Sequence, residues 1–171
     1  MKQVTRNGRW SGILGLFAMA AAGYLTGAAD ARPALSDDAL PGATSVTVAH
    51  GDTVVIQSQG SDLSYDVTEI RAHAGDTITI RYQNPSDMPH NVVLVKGESD
   101  INPVGIAALQ AYASDYIPEA EMDRIIGYTN LALPGDTVYV TFAVPGPGSY
   151  PYMCSYPGHF TSMQGRLISR E

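Results

Sequence analysis

The residues best suited to chemistry lie close together near the carboxyl terminus. Cys154 is the single cysteine of the 171-residue chain, and His159 and Met163 follow it in the pattern Cys-x4-His-x3-Met. Pro157 and Gly158 stand between the first two of these residues and predict a chain reversal there. A thiolate, an imidazole and a thioether favour copper, zinc or iron over magnesium and calcium. The segment therefore predicts a metal site.

Three residues rarely complete such a site, and His90 is our candidate for the missing ligand. It follows the turn-rich segment 84–89 at the start of a possible strand. We expect the strand after Gly75 to run toward His90, and the strand after Gly135 to run toward Cys154. If both glycine turns lie at one end of the fold, the candidate ligands meet at the opposite end.

The other two histidines, His50 and His73, are interpreted as exposed or turn-capping residues. His73 precedes the Gly75 turn, so strand polarity leaves it about 20 Å from the site. The predicted site residues are His90, Cys154, His159 and Met163. Two histidines and a cysteine in a trigonal arrangement, with a weak axial methionine, form the ligand set of a blue-copper electron-transfer centre.

Short strands separated by turns must position these residues. Gly-Asp-Thr occurs at Gly51, Gly75 and Gly135, and a β-branched run follows each time. The candidate strands are 54–56, 65–71, 78–80, 91–95, 127–132, 138–140, 149–153 and 165–169. The fold class predicted is all-β, a Greek-key antiparallel β-sandwich of about eight strands. One inserted short helix is expected, with Asn102 as N-cap and Pro103 as its first residue.

The amino-terminal segment predicts export. Three basic residues precede an apolar run over 13–25, and the sequence Ala-Asp-Ala at 29–31 fits a cleavage site. The alternative is a retained membrane anchor, but the run is shorter than the roughly 20 residues that span a bilayer. We therefore expect a Sec-type signal peptide, periplasmic localisation and no stable membrane insertion after cleavage.

These boundaries divide the chain into three predicted segments. Residues 1–31 form the signal peptide, 32–45 a flexible leader and 46–171 one folded domain. Removal of the signal peptide changes the formal charge from −7 to −9. Such an acidic chain argues against a nucleic-acid partner. A single cysteine excludes an intramolecular disulfide, a four-cysteine zinc site and a binuclear copper site with two thiolates.

With these residues in view, the chain resembles the cupredoxins, the small blue-copper proteins, and most closely the azurins. The resemblance covers 46–169 and rests on Pro-His90-Asn91, Tyr-Met-Cys154, Tyr-Pro-Gly-His159 and Met163-x-Gly165. The azurin spacing Cys-x4-His-x3-Met is matched in full. Two departures stand out: the disulfide usual in azurins is impossible here, and proline replaces the azurin glycine before the first histidine, as in plastocyanins.

The resemblance implies roles for these residues. His90, Cys154 and His159 would be equatorial ligands of one copper ion, Met163 its axial ligand, and Asn91 would hydrogen-bond the cysteine loop. The implied function is a non-enzymatic shuttle of single electrons, cycling between Cu(II) and Cu(I). It would be monomeric and serve redox proteins such as a c-type cytochrome, an oxidase or a reductase.

We expect partners to dock at an exposed edge of His159, within an apolar patch formed by Met88, Pro89, Pro157 and Phe160. One alternative is a copper carrier or scavenger that delivers the ion to another protein. A second is a copper oxidase or nitrite reductase, which requires a further copper centre for which only His50 and His73 remain. A third is a copper-free protein with the same fold.

Overall fold

The computed structural model of the protein describes residues 44–171. The predicted signal peptide and nearly all of the predicted leader lie outside this range, so those boundaries stay predictions. Within it the elements are β1 Ser45–Thr47, β2 Thr53–Gln57, β3 Glu69–His73, β4 Thr77–Gln83, β5 Val93–Val95, α1 Glu98–Ala108, 3-10 helices Tyr112–Ser114 and Glu119–Arg124, β6 Ile125–Tyr128, β7 Thr137–Ala143, β8 Gly148–Met153 and β9 Gln164–Arg170.

These strands form two sheets, which confirms the predicted β-sandwich with one short helix. One sheet has the order β1-β3-β9-β8-β5-β6 and the other the order β2-β4-β7. Four strand pairs are antiparallel as predicted, whereas β1–β3, β2–β4 and β3–β9 are parallel. Between β2 and β4 the chain passes through β3 in the larger sheet and then returns to the smaller one. β2 and β4 therefore run in the same direction.

Each repeated Gly-Asp-Thr turn starts a strand as the sequence predicts. Gly51, Gly75 and Gly135 have φ values of 84°, 86° and 88°, which side chains disfavour and glycine accepts. The carboxylate of Asp52 accepts a 2.8 Å hydrogen bond from the backbone N–H of Ala49. The strand begins at the threonine that directly follows each turn.

The main hydrophobic core lies between the two sheets. A second hydrophobic cluster lies on the outer face of the six-stranded sheet. Alternate residues of β4, such as Ile80 and Tyr82, are fully buried in the main core. β5 is buried along its whole length, because Val93 and Val95 belong to a second cluster that includes Ile101 and Val104 of α1. The helix thus covers the outer face of the strand that follows His90.

The helix begins earlier than the sequence predicts. It starts at Glu98 with Gly97 as N-cap, so Asn102 is not a cap and Pro103 lies inside the helix. Acidic side chains in the first turn, Glu98 and Asp100, favour this start because they face the positive end of the helix dipole. Within residues 44–171, no helix combines the length and apolar character needed to cross a membrane.

The two ends of the sandwich are connected differently from the sequence prediction. β4 and β7 are antiparallel, with Gln83 opposite Thr137, so Gly75 and Gly135 lie at opposite ends. Our expectation that they share one end is wrong. β8 forms a separate strand, and its antiparallel partner β9 reaches Gln164 opposite Met153. This additional reversal after β7 carries Cys154 back to the end at which His90 lies.

Candidate metal centre

His90, Cys154 and His159 converge at one end of the sandwich. The Cys154 Sγ atom lies 3.7 Å from Nδ1 of His90 and 3.6 Å from Nδ1 of His159. The two Nδ1 atoms are 3.2 Å apart. All three residues are buried. We refer to these three atoms as the sulfur–nitrogen triangle.

The dimensions of this triangle fit a single metal ion. A point equidistant from three atoms at these separations lies about 2 Å from each of them, close to the bond lengths from histidine and cysteine to a first-row metal such as zinc. Imidazole nitrogen with thiolate sulfur also suits copper. The donor atoms therefore match copper in spacing as well as in type.

Two chain segments deliver these donors. His90 precedes β5, and its backbone exchanges hydrogen bonds of 3.1 and 2.8 Å with Ala132. The side chain of Asn84 orders the loop before it by donating to the carbonyl oxygens of Met88 and Ala132. The backbone of His90 is thus held from both sides before the imidazole reaches the site.

The second segment is the loop from Cys154 to Met163. Its ends are joined because Cys154 N donates to the Met163 carbonyl at 3.0 Å, and Met163 N donates to the His159 carbonyl at 2.8 Å. Pro157 and Gly158 form the predicted reversal, with a φ of 85° at Gly158. The loop is short and closed, so Cys154 and His159 have little freedom relative to each other.

Asn91 connects the two segments, as the azurin resemblance implies. Its Oδ1 accepts a 2.8 Å hydrogen bond from Ser155 N, and its Nδ2 donates to Ser155 Oγ at 2.8 Å. Both residues are fully buried. The Asn91–Ser155 pair therefore fixes the residue after His90 against the residue after Cys154.

Burial governs the protonation of the two imidazoles. It lowers the pKa of His90 to about 4, and the neighbouring His159 contributes in the same direction while Asp87 opposes it. Burial also lowers the pKa of His159. Both rings are therefore neutral near pH 7, which is the form that binds a metal ion.

Burial has the opposite effect on the cysteine. It raises the pKa of Cys154 to about 11, although the backbone N–H groups of Asn91 and Tyr156 oppose this by favouring the thiolate. The metal-free protein therefore carries a protonated thiol at neutral pH. Because a metal ligand must be the thiolate, metal uptake at this residue releases a proton.

The remaining predicted residues are placed as follows. Met163 is fully buried in the same core cluster as Cys154. His50 and His73 lie away from the triangle, with their Nδ1 atoms 3.9 Å from carboxylate oxygens of Asp76. Both side chains are largely exposed, at 70% and 65%. The interpretation of these two histidines as exposed turn residues agrees with this placement.

The His159 ring is less exposed than the sequence predicts. His159 is only 3% exposed, although Met88 beside the other histidine is 38% exposed. Phe160 is half-buried, like Pro89 and Pro157, and one side of it packs against the cluster that contains α1. A Cβ atom on Gly105 of the helix would overlap the Phe160 ring, so the absence of a side chain there admits the aromatic residue.

Three residues near the site were not predicted from the sequence. Ser155 pairs with Asn91, and the carbonyl groups of Asp115 and Tyr116 accept hydrogen bonds from this pair. Ser155 follows the cysteine directly, which is the single local signal available. The other two lie between the 3-10 helices, where nothing in the local sequence indicates contact with the site.

The family of the chain agrees with this geometry. A model described as copper binding proteins of the plastocyanin/azurin family matches residues 51–169. The chain belongs to this family, so it is a blue-copper protein, a cupredoxin, whose cofactor is copper. The resemblance proposed from its motifs is confirmed.

Individual relatives support the same assignment. The chain is 43% identical over 119 residues to Auracyanin-A of Chloroflexus aurantiacus, which covers 68% of this chain and 73% of that protein. It is 29% identical over 133 residues to Azurin iso-2 of a Methylomonas species, covering 73% and 96%. The solved structure of auracyanin A, described as a "blue" copper protein, superposes with a TM-score of 0.66 at 41% identity, covering 73% of this chain and 100% of that one.

Proposed function

We propose that the protein carries single electrons through one copper ion held by His90, Cys154 and His159, with Met163 as an additional weak ligand. The buried sulfur–nitrogen triangle, with separations of 3.2 to 3.7 Å, is the observation that carries this proposal. Copper supplies one-electron chemistry by alternating between its cupric and cuprous states. Two imidazoles and a thiolate accommodate both states, and a methionine sulfur adds a weak soft donor.

The chain contributes rigidity and control of charge. The Asn91–Ser155 pair and the backbone pairing of His90 with Ala132 hold the donors from behind. The backbone N–H groups that face the Cys154 sulfur stabilise its negative charge, and such hydrogen bonds tune a metal centre's reduction potential. Donors held in this way change position little between oxidation states, which favours rapid electron transfer.

Electrons would enter and leave at the end of the sandwich that carries His159. The surface there combines the exposed Met88 with the half-buried Pro89 and Pro157, and the exposed acid Asp87 stands beside it. A small apolar surface with adjacent negative charge suits brief encounters with a basic redox protein. We propose that the partner is a redox protein such as a c-type cytochrome, an oxidase or a reductase. We also propose that the protein binds this partner as a monomer.

The proposed location is the periplasm, reached through the signal peptide at residues 1–31. The support is the sequence pattern of three basic residues, an apolar run and an Ala-Asp-Ala site. We propose no enzymatic activity. His50 and His73 are placed around Asp76, so they do not supply the second copper centre that an oxidase or nitrite reductase requires.

The test is spectroscopy of the purified, copper-loaded protein. We expect intense blue absorption, a cupric paramagnetic resonance spectrum with the narrow hyperfine splitting of a copper–thiolate site, and reversible reduction by one electron. Oxidation of the reduced protein by a basic c-type cytochrome should slow as salt is added. A colourless protein that loses copper to a mild chelator would support the carrier instead, and steady turnover of dioxygen or nitrite would support an enzyme.

A further inference from the structure

A strained turn lies next to the metal centre. Asp115 and Tyr116 have φ values of 57° and 62°, the left-handed region that residues with side chains disfavour. They are the two non-glycine residues with positive φ in the part of the chain that the structure describes. Two such residues in succession persist only where surrounding contacts hold them.

The turn is closed on itself. Tyr116 N donates to the Ala111 carbonyl at 2.9 Å, and Ile117 N donates to the Ser114 carbonyl at 2.9 Å. The hydroxyl of Ser114 donates back to the Ile117 carbonyl at 2.8 Å. These bonds stabilise the conformation at Asp115 and Tyr116 without any contribution from the metal centre.

The strained conformation directs two successive carbonyl groups at one target. The Asp115 carbonyl accepts from Asn91 Nδ2 at 3.3 Å, and the Tyr116 carbonyl accepts from Ser155 Oγ at 2.7 Å. Asn91 and Ser155 directly follow His90 and Cys154 in the chain. The turn therefore satisfies the remaining donors of the pair that connects the two ligand-bearing segments.

The same turn also supports the second imidazole. The Tyr116 ring packs edge-on against Tyr156, with centroids 5.0 Å apart. Tyr156 in turn lies 5.0 Å from the His159 ring. Two independent sets of contacts, one through backbone carbonyls and one through aromatic rings, thus run from the turn to the sulfur–nitrogen triangle.

We propose that Asp115 and Tyr116 are positioning residues for the copper centre: their left-handed turn fixes the Asn91–Ser155 pair and the His159 ring, and thereby the geometry of the triangle. The part of this inference that concerns bound copper rests on the proposed function. Its contacts are present in the metal-free protein, so it can be tested there as well.

The first experiment measures hydrogen exchange at the Ser155 backbone amide in the copper-free protein. Asp115→Val disfavours the left-handed conformation, and Asp115→Gly accepts it while also removing the side chain. We expect Ser155 exchange to become about tenfold faster in Asp115→Val and to stay within about twofold of the parent in Asp115→Gly. Equal exchange in both variants and the parent, or equal acceleration in both variants, would overturn the proposal.

The second experiment uses copper-loaded protein and also decides the matter if Asp115→Val does not fold. Tyr116→Ala removes the ring contact, Tyr116→Phe keeps it, and Tyr112→Ala removes a ring that is 75% exposed in the same segment. We expect Tyr116→Ala alone to shift the reduction potential and broaden the copper hyperfine spectrum. Parent-like values in Tyr116→Ala, or equal shifts in Tyr112→Ala, would contradict the proposal.

The two experiments separate this inference from the proposed function. If the loaded protein shows no blue-copper spectrum, the proposed function fails, yet the Ser155 exchange rates still report whether the turn holds the pair. If the blue-copper spectrum is present but the variants at Asp115 and Tyr116 have the exchange rates and potentials of the parent, only the positioning role fails.

Discussion

Two pairs of histidines occupy different environments in this molecule. His90 and His159 are 1% and 3% exposed, and their Nδ1 atoms approach each other and a cysteine sulfur. His50 and His73 have side chains that are 70% and 65% exposed, and their Nδ1 atoms lie near a carboxylate of Asp76. Residue type is the same in both pairs, while burial and neighbours differ.

The difference shows what suits a histidine to the ligand role that we propose for His90 and His159. Burial keeps the first pair neutral, and the adjacent backbone pairing holds each ring where a third donor converges. The second pair is free to exchange water and has a hard oxygen neighbour instead of a soft sulfur. The two regions have the same number of imidazoles. They differ because the rings of His90 and His159 are held in place and shielded from water.

The largest effect is expected when the sulfur corner of the triangle is removed. Cys154→Ser should abolish the blue absorption, because a neutral hydroxyl does not replace a thiolate as donor. The fold should persist, since the two side chains are nearly the same size; a cost of about 1–2 kcal/mol from burying the hydroxyl is expected. Visible absorption and circular dichroism measure the two effects. Colour retained in this variant would refute the ligand set.

Acid should destabilise the metal-free protein through the buried pair. Because the pKa of His90 falls to about 4 on folding, the unfolded chain binds its proton more readily. Its contribution to stability is complete above about pH 6.5 and is lost as pH falls toward 4, by up to about 3 kcal/mol. Urea unfolding of the copper-free protein across this range measures the loss.

The control for this measurement separates His90 from the carboxylates that titrate in the same range. His90→Gln should lose less stability than the parent between pH 7 and pH 4. Parallel losses in the parent and His90→Gln would show that the buried imidazole does not control the acid response.

A smaller effect is expected at the prospective axial ligand. Met163→Leu preserves volume and burial but removes a sulfur donor that stabilises cupric copper. We expect the colour to remain and the reduction potential to rise by about 59 mV, equivalent to a tenfold change in the preference between the two copper states. Protein-film voltammetry provides the value. A potential unchanged from the parent would count against ligation by Met163.

No effect on copper is expected at the exposed pair. His73→Ala should leave the copper content, the absorption and the reduction potential as in the parent, because its ring lies beside Asp76 and not in the triangle. Metal analysis after gel filtration is sufficient. Loss of the stoichiometric copper from this variant would mean that the comparison between the two histidine pairs is wrong.

The sequence predicts the local part of the site well. Cys154 and His159 are recognisable because a short loop imposes their spacing, and the structure brings both next to His90; ligation by Met163 stays a prediction. Their convergence with His90 was expected for a partly wrong reason. Gly75 and Gly135 lie at opposite ends, and the reversal before β8 compensates.

Long-range contacts mark the limit of sequence interpretation. The sequence predicts a helix that starts at Pro103, yet the helix begins at Glu98, because one internal proline is tolerated when the buried face is well packed. The Asp115 carbonyl accepts from Asn91, 24 positions away, and the Tyr116 carbonyl accepts from Ser155, 39 positions away. No periodicity or turn signal encodes such pairings, which arise only when the sheets and the inserted helix are assembled.

The spacing of the donors has a consequence for assembly of the holoprotein. Cys154 and His159 are five residues apart, whereas His90 lies 64 residues from the cysteine. An unfolded chain therefore retains two adjacent donors, and binding to unfolded chains reduces the stabilisation that a ligand confers on the native state. The rise in melting temperature on metallation should thus reflect chiefly the long-range imidazole.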